Sequence, residues 1–141
     1  MTVDQQLAHV EQFLRNCQKT LRVKSADYAP EGQVLVDILR NAAYARIRPE
    51  TAMFILLDKH LTALRRYCTH GTTASEPIYG RMVDIVNHVS LINFFIEHRD
   101  TLLADAADFL AVHESCTCNR TTACDRCGAV TFLASRSLWD S

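Results

Sequence analysis

The sequence predicts an all-α protein: a bundle of about five helices followed by a small cysteine-rich appendage. Apolar residues recur at three- and four-residue steps almost throughout, the period of a helix with one buried face. No stretch before residue 128 alternates with period two, as a half-buried strand would. Hydrophobic residues make up 48% of the 141 residues, with only 4 Gly and 3 Pro, so one ordinary core is within reach and a second full domain is not.

The first helix is expected over residues 3–23, where Leu7, Val10, Phe13 or Leu14, Cys17 and Leu21 share a stripe and Thr2 or Asp4 serves as N-cap. The stretch 24–32, with Pro30 and Gly32, reads as a loop, because proline biases the residue before it away from helical geometry. A second helix follows on Val34, Leu35, Ile38, Leu39, Ala42 and Ala43 and ends before Arg46. Pro49 suits the first position of a third helix, where its missing N–H has no intrahelical partner to lose. That helix carries Met53, Leu56, Leu57, His60, Leu61 and Leu64 and stops near His70-Gly71.

Ser75 is the expected N-cap of a fourth helix over 76–99, with Glu76 and Pro77 in its first turn. Its stripe of Ile78, Met82, Ile85, Val89, Ile92 and Ile96 faces away from Leu91, Phe94 and Phe95. A helix apolar on nearly all sides is expected at the centre. A fifth helix runs from after Asp100 to about His113 on Leu102, Leu103, Ala106, Phe109 and Leu110. Beyond it, Ala129 to Leu133 reads as a short strand. The expected organisation is therefore a bundle over 1–114 and a tail over 115–141, with Trp139 packed as a terminal anchor.

Charge and length exclude several functions. Fifteen Lys+Arg against 16 Asp+Glu leave a net charge of -1, so no global field holds a nucleic-acid backbone, and nucleic acid is not the favoured partner. The longest uninterrupted apolar run, Ala52 to Leu57, is far short of a membrane span. The polar, acidic N-terminus lacks a signal-peptide layout, and a cytoplasmic protein with no membrane partner is expected.

Two side-chain groups point to chemistry on the helices. Asp84, Asn87 and His88 stand at i, i+3 and i+4, and Asp84 and His88 share a side with Leu91 and Phe95. A carboxylate on an apolar face needs a cationic partner or a metal ion. An arginine from a neighbouring helix is one reading, a ligand or metal role the other. Asp58, Thr62 and Arg65 line up on the third helix with Lys59 and Arg66 on its flank, either as a solvated face or as part of a site. Antiparallel pairing of the third and fourth helices would let Asp58 approach Asp84. Two facing carboxylates make a site for Mg2+, and the basic residues alongside suit phosphate oxygens.

Four of the six cysteines fall within twelve residues, as Cys116-x-Cys118-x5-Cys124-x2-Cys127-Gly128, with His113 just upstream. The second pair has the form of a zinc knuckle, and four thiolates would close a structural tetrahedral zinc site. A disulfide or redox pair and unliganded thiols are the alternatives, the first disfavoured by an intracellular setting. Cys17 and Cys68 fit helix faces as ordinary thiols.

The order of motifs from Lys24-Ser25-Ala26-Asp27-Tyr28, through the helix Met53 to Arg65, to Glu76 and the run Met82-Val83-Asp84-Ile85-Val86-Asn87-His88, resembles phage and bacterial nucleotide-modification-associated domains. These are small helical proteins related to MazG-like all-α NTP pyrophosphatases. The resemblance covers about residues 20–98. It implies a commonly dimeric bundle that binds a nucleoside triphosphate through acidic residues and Mg2+. By position it makes Lys24, Asp27 and Tyr28 a nucleotide-contacting loop, Lys59 and Arg65 phosphate contacts, and Asp84 with Asn87 the acidic end of the site. Asp84 would then be catalytic in an enzyme, with Glu76 or Asp58 completing a Mg2+ site. The chain departs from the MazG pattern: Arg81 stands three residues before Asp84, and no E-E-x-x-E occurs. The leading expectation is a homodimeric nucleotide-binding or nucleotide-sequestering protein with structural zinc. Its alternatives are a Mg2+-dependent pyrophosphohydrolase and an adaptor whose zinc tail docks a protein or nucleic acid.

Overall fold

The computed structural model describes residues 2–28, 35–73, 75–113 and the single positions Ala129, Thr131 and Leu133, with the side chains of 26–28, 36 and 109–113 outside that description. Its described residues form four α-helices and no strand: α1 (Val3–Tyr28), α2 (Val36–Ala45), α3 (Pro49–His70) and α4 (Ile78–His113). Among the described residues, no helix is long and apolar enough to cross a membrane.

Local chemistry explains most helix ends. Thr2 caps α1 through a reciprocal pair: the Gln5 N–H donates to Thr2 Oγ1 at 3.2 Å, and the Thr2 N–H donates to Gln5 Oε1 at 2.9 Å. The C-terminus of α1 differs from expectation, because the helix continues five residues past Val23 and takes in Lys24, Asp27 and Tyr28. The expected nucleotide-contacting loop is therefore helix at those positions. Proline restricts only its immediate predecessor, and the Ser25 hydroxyl donates to the Leu21 carbonyl at 2.7 Å without breaking the helix.

Helix α2 closes as a Schellman motif, with the Arg46 N–H on the Ala43 carbonyl at 3.1 Å and the Ile47 N–H on the Ala42 carbonyl at 3.0 Å. Arg46 itself is left-handed, φ 53° and ψ 41°, a conformation costly for a side chain with Cβ. Replacing it by glycine removes that strain and adds only unfolded-state freedom. Arg46→Gly should therefore stabilise the protein by about 0.5–1 kcal/mol, read as a higher urea midpoint. Gly71, at φ 72°, ends α3 in the same conformation without that strain.

Helix α4 corrects two expectations. It begins at Ile78, after Pro77, and Ser75 does not cap it, its hydroxyl accepting instead from Arg81 Nη2 at 3.2 Å. The expected fourth and fifth helices are one element, interrupted at His98 by a non-helical residue (φ -119°, ψ 20°) close to the expected boundary. Of the expected strand at 129–133, the described positions Ala129, Thr131 and Leu133 are helical. Cys116, Cys118, Cys124, Cys127 and Trp139 lie outside the described residues.

The chain divides into two compact units, one of Met1–Gly32 and Ile55–Leu91, the other of Gln33–Phe54 and Ile92–Ser141. Their cores differ in kind. The second unit buries Leu35, Leu39, Ala42, Ala43, Met53, Phe95, Leu103, Ala106, Ala129 and Leu133, all apolar. Few apolar side chains are buried in the first unit: Cys17, Leu57 and Val83. The three buried polar side chains among the described residues, His60, Asp84 and Asn87, all belong to it.

Candidate functional site

The polar centre of the first unit is assembled from three helices. Helix α4 supplies Arg81, Asp84, Asn87 and His88, whose spacing of three, six and seven residues from Arg81 keeps them on one side. Helix α3 supplies His60, and α1 supplies Lys24. Lys24 Nζ lies 2.5 Å from Asp84 Oδ1, so the partner that the buried carboxylate requires is a lysine from a helix sixty positions earlier. The other carboxylate oxygen, Oδ2, is 3.7 Å from His60 Nδ1.

The hydrogen bonds fix both imidazoles. Arg81 Nη1 is 3.3 Å from His60 Nδ1, and because a guanidinium can only donate, Nδ1 accepts and the His60 proton resides on Nε2. Burial lowers the pKa of His60 below the ordinary 6.5, assisted by the positive charges of Lys59 and Arg81 and by His88 and opposed by Asp84. His60 is thus neutral at pH 7. His88 donates from Nδ1 to the Asp84 carbonyl at 2.8 Å, because a carbonyl oxygen can only accept. The two rings lie 5.1 Å apart between centroids.

Arg81 also ties the centre to the loop before α4. Its Nε is 3.1 Å from Glu76 Oε2, and the same guanidinium reaches the Ser75 hydroxyl. Asn87 is the exception to this pairing, because its amide nitrogen Nδ2 is buried with no acceptor among the described residues. A buried donor left in that state costs about 1–3 kcal/mol.

Of the residues singled out in the sequence, Lys24, Asp84, Asn87 and His88 come together here. Glu76 reaches the cluster only through Arg81 and is itself exposed. Asp58, Lys59 and Arg65 are exposed. Asp58 does not face Asp84: it lies two residues from His60, about 200° around the helix, and His60 is the side chain that faces the carboxylate. The side chains of Asp27 and Tyr28 lie outside the described residues. Among the described residues, no group of three His, Cys, Asp or Glu side chains is placed to hold a metal ion.

Two members of the cluster went unrecognised in the sequence. His60 sits in the apolar stripe of α3, where it reads as core, and Arg81 stood out only as a departure from the MazG pattern. A signal for both existed. A histidine three residues after Leu57 on a buried face needs polar company, and Arg81 precedes Asp84 by less than one turn.

Compared with known proteins, the chain matches no family model, no curated protein and no solved structure. The reading of this site therefore stands on its own geometry.

Proposed function

We propose that the first unit binds an acceptor-rich anion of nucleotide type at this polar centre and holds it without hydrolysis. The observation that carries the reading is a surplus of donors in a buried place. Asn87 Nδ2 has no acceptor, His60 presents an N–H at Nε2, and the half-exposed Lys24 spends one of its three N–H groups on Asp84. Phosphate, ribose and base edges are rich in acceptors. A core that keeps a buried, unsatisfied amide is a core shaped by something other than stability.

Retention fits the geometry better than the Mg2+-dependent alternative. Asp84 is the carboxylate at the centre, and an ammonium already sits on one of its oxygens. A divalent cation there would lie against that positive charge. The other carboxylates proposed for Mg2+ are directed elsewhere, Glu76 to Arg81 and Asp58 to the opposite side of α3. The four C-terminal cysteines complete the proposal as a structural zinc site, which would give folding energy to a segment too small for a core of its own.

Native mass spectrometry of the reduced protein tests this reading. After incubation with NTPs, dNTPs and cyclic nucleotides without added metal, one intact nucleotide should stay on the protein, together with one zinc ion. Lys24→Ala and Arg81→Ala should each weaken retention about tenfold or more, the worth of one charge-assisted hydrogen bond. Asn87→Leu should abolish retention while stabilising the fold by about 1 kcal/mol, because it removes the unsatisfied donor. Release of monophosphate and pyrophosphate on adding Mg2+ would establish the hydrolytic alternative instead. Retention of no nucleotide under either condition would refute nucleotide binding.

A further inference from the structure

The first unit has a thin apolar core and an uncovered apolar surface. Among the described residues its buried apolar side chains are Cys17, Leu57 and Val83, while Val3, Leu7, Val10 and Leu14 of α1 are between 45 and 71% exposed. These four recur in steps of four, three and four, and the series continues into Cys17 and Leu21, which the unit buries and half-buries. A period of 3.5 is the pattern of a seam between two helices. Helix α4 carries a second seam in the same steps, Ile78, Met82, Ile85 and Val89, of which Met82 and Val89 are exposed. The two share an open groove of about 400 Å3, lined by Val10 of one seam, Met82 and Ile85 of the other, and Phe13, Leu64 and Val86. Scattered apolar side chains on a surface need no explanation, whereas two seams that meet in one groove mark a contact.

We propose that this groove takes an amphipathic helix of another protein, apolar at its heptad a and d positions and carrying lysine or arginine along one flank. The spacing selects a helix. Holes between side chains at i, i+4, i+7 and i+11 are filled by knobs of the same period, and not by the two-residue alternation of a strand. The exposed part of the α1 seam, Val3 to Leu14, is about 17 Å long at 1.5 Å per residue, so about three turns of helix cover it.

Charge selects the kind of helix. Asp4 follows Val3 by one residue and Glu11 follows Val10 by one, which puts both carboxylates on the flank of the seam away from His9 and Phe13, one heptad apart. Residues 3–14 contain no lysine or arginine. Glu11 has Arg15 at 3.6 Å, but that pair is exposed and of small worth, and Arg15 stands further around the helix from the seam. On the α4 side Arg81 is taken up by Glu76. The occupant therefore meets an acidic edge, which a basic flank complements. A second copy of this seam would supply no base in either direction, and antiparallel packing would set its own Asp4 and Glu11 against these two.

Fluorescence anisotropy with two labelled synthetic peptides tests the proposal, each about 18 residues long with leucine at a and d, one with lysine and one with glutamate at the e positions. The full chain, reduced, should bind the lysine peptide about tenfold more tightly than the glutamate peptide, and the bound peptide should gain helicity. Leu7→Glu, at an exposed position, should weaken binding of the lysine peptide about tenfold or more while the circular dichroism of the protein stays unchanged. Asp4→Lys/Glu11→Lys, which leaves every apolar contact in place, should reverse the preference between the peptides. Failure of both peptides to bind overturns the proposal, and so do equal affinities or binding that survives Leu7→Glu. Sedimentation equilibrium supplies the remaining outcome: a mass of twice 15.9 kDa that Leu7→Glu halves would give the groove to a second copy and overturn the proposal as well.

Discussion

Phe95→Ala should destabilise the protein by about 3–5 kcal/mol, the range for deleting a fully buried aromatic side chain and leaving a cavity. Phe95 is 0% exposed and stands with Leu39 and Met53 among the largest fully buried side chains of the second unit. The residues on either side of it are exposed, Phe94 at 47% and Ile96 at 62%. Ile96→Ala should therefore stay within about 0.5 kcal/mol of wild type, the usual range for a surface change. Phe94→Ala should lose little more, through its contact with the His98 ring at 4.5 Å between centroids. Urea midpoints of the three variants, with unchanged m-values, would measure the rotational phase of α4 directly. Equal losses at 95 and 96 would show that phase to be wrong.

That phase is the part of the fold least legible in the sequence. The stripe of Ile78, Met82, Ile85, Val89, Ile92 and Ile96 looks like a core face, yet Met82, Val89 and Ile96 are exposed, while Val83, Asp84, Asn87 and Phe95 are buried. When a helix is apolar on nearly all sides, periodicity no longer selects a face. What selects it here is the other elements, and these meet α4 through contacts distant in sequence. Helix ends were legible for the opposite reason, since Thr2 with Gln5, Pro49 and Gly71 act within one turn of their own position. The exception at Tyr28 has the same origin: Pro30 limits Ala29 and says nothing about Lys24. The site was half legible. A carboxylate on a buried face declares that it needs a partner, but nothing local to Asp84 identifies Lys24 or His60 as that partner.

Removing either end of the Lys24–Asp84 pair should give unequal losses. Asp84 is buried and Lys24 is half-exposed, so an abandoned lysine can turn back to water while an abandoned carboxylate cannot. Lys24→Met should cost about 2–3 kcal/mol at pH 7, below the range for breaking a fully buried pair because one partner is solvated. Asp84→Leu should cost about 1 kcal/mol, and Lys24→Met/Asp84→Leu should return close to wild type, since replacing both charges by apolar groups is near neutral. Additive losses in the double variant would mean that the two side chains do not interact. Stability recovered in this way would come without nucleotide retention, which separates what the pair does for folding from what it does for a ligand.

His60 makes the stability of the protein depend on pH. Its pKa in the folded chain lies below the ordinary 6.5, chiefly through burial. As pH falls through 6.5 the unfolded chain takes up this proton first, so stability declines until the folded imidazole titrates as well. A wild-type urea midpoint should therefore drop as pH falls through 6.5, and His60→Gln should flatten that part of the profile. Asp84 is the one neighbour that opposes the shift. In Asp84→Leu the folded imidazole should consequently resist protonation to still lower pH, and the decline should extend further into acid. A profile unchanged by Asp84→Leu would mean that the carboxylate and the imidazole, 3.7 Å apart, are not electrostatically coupled.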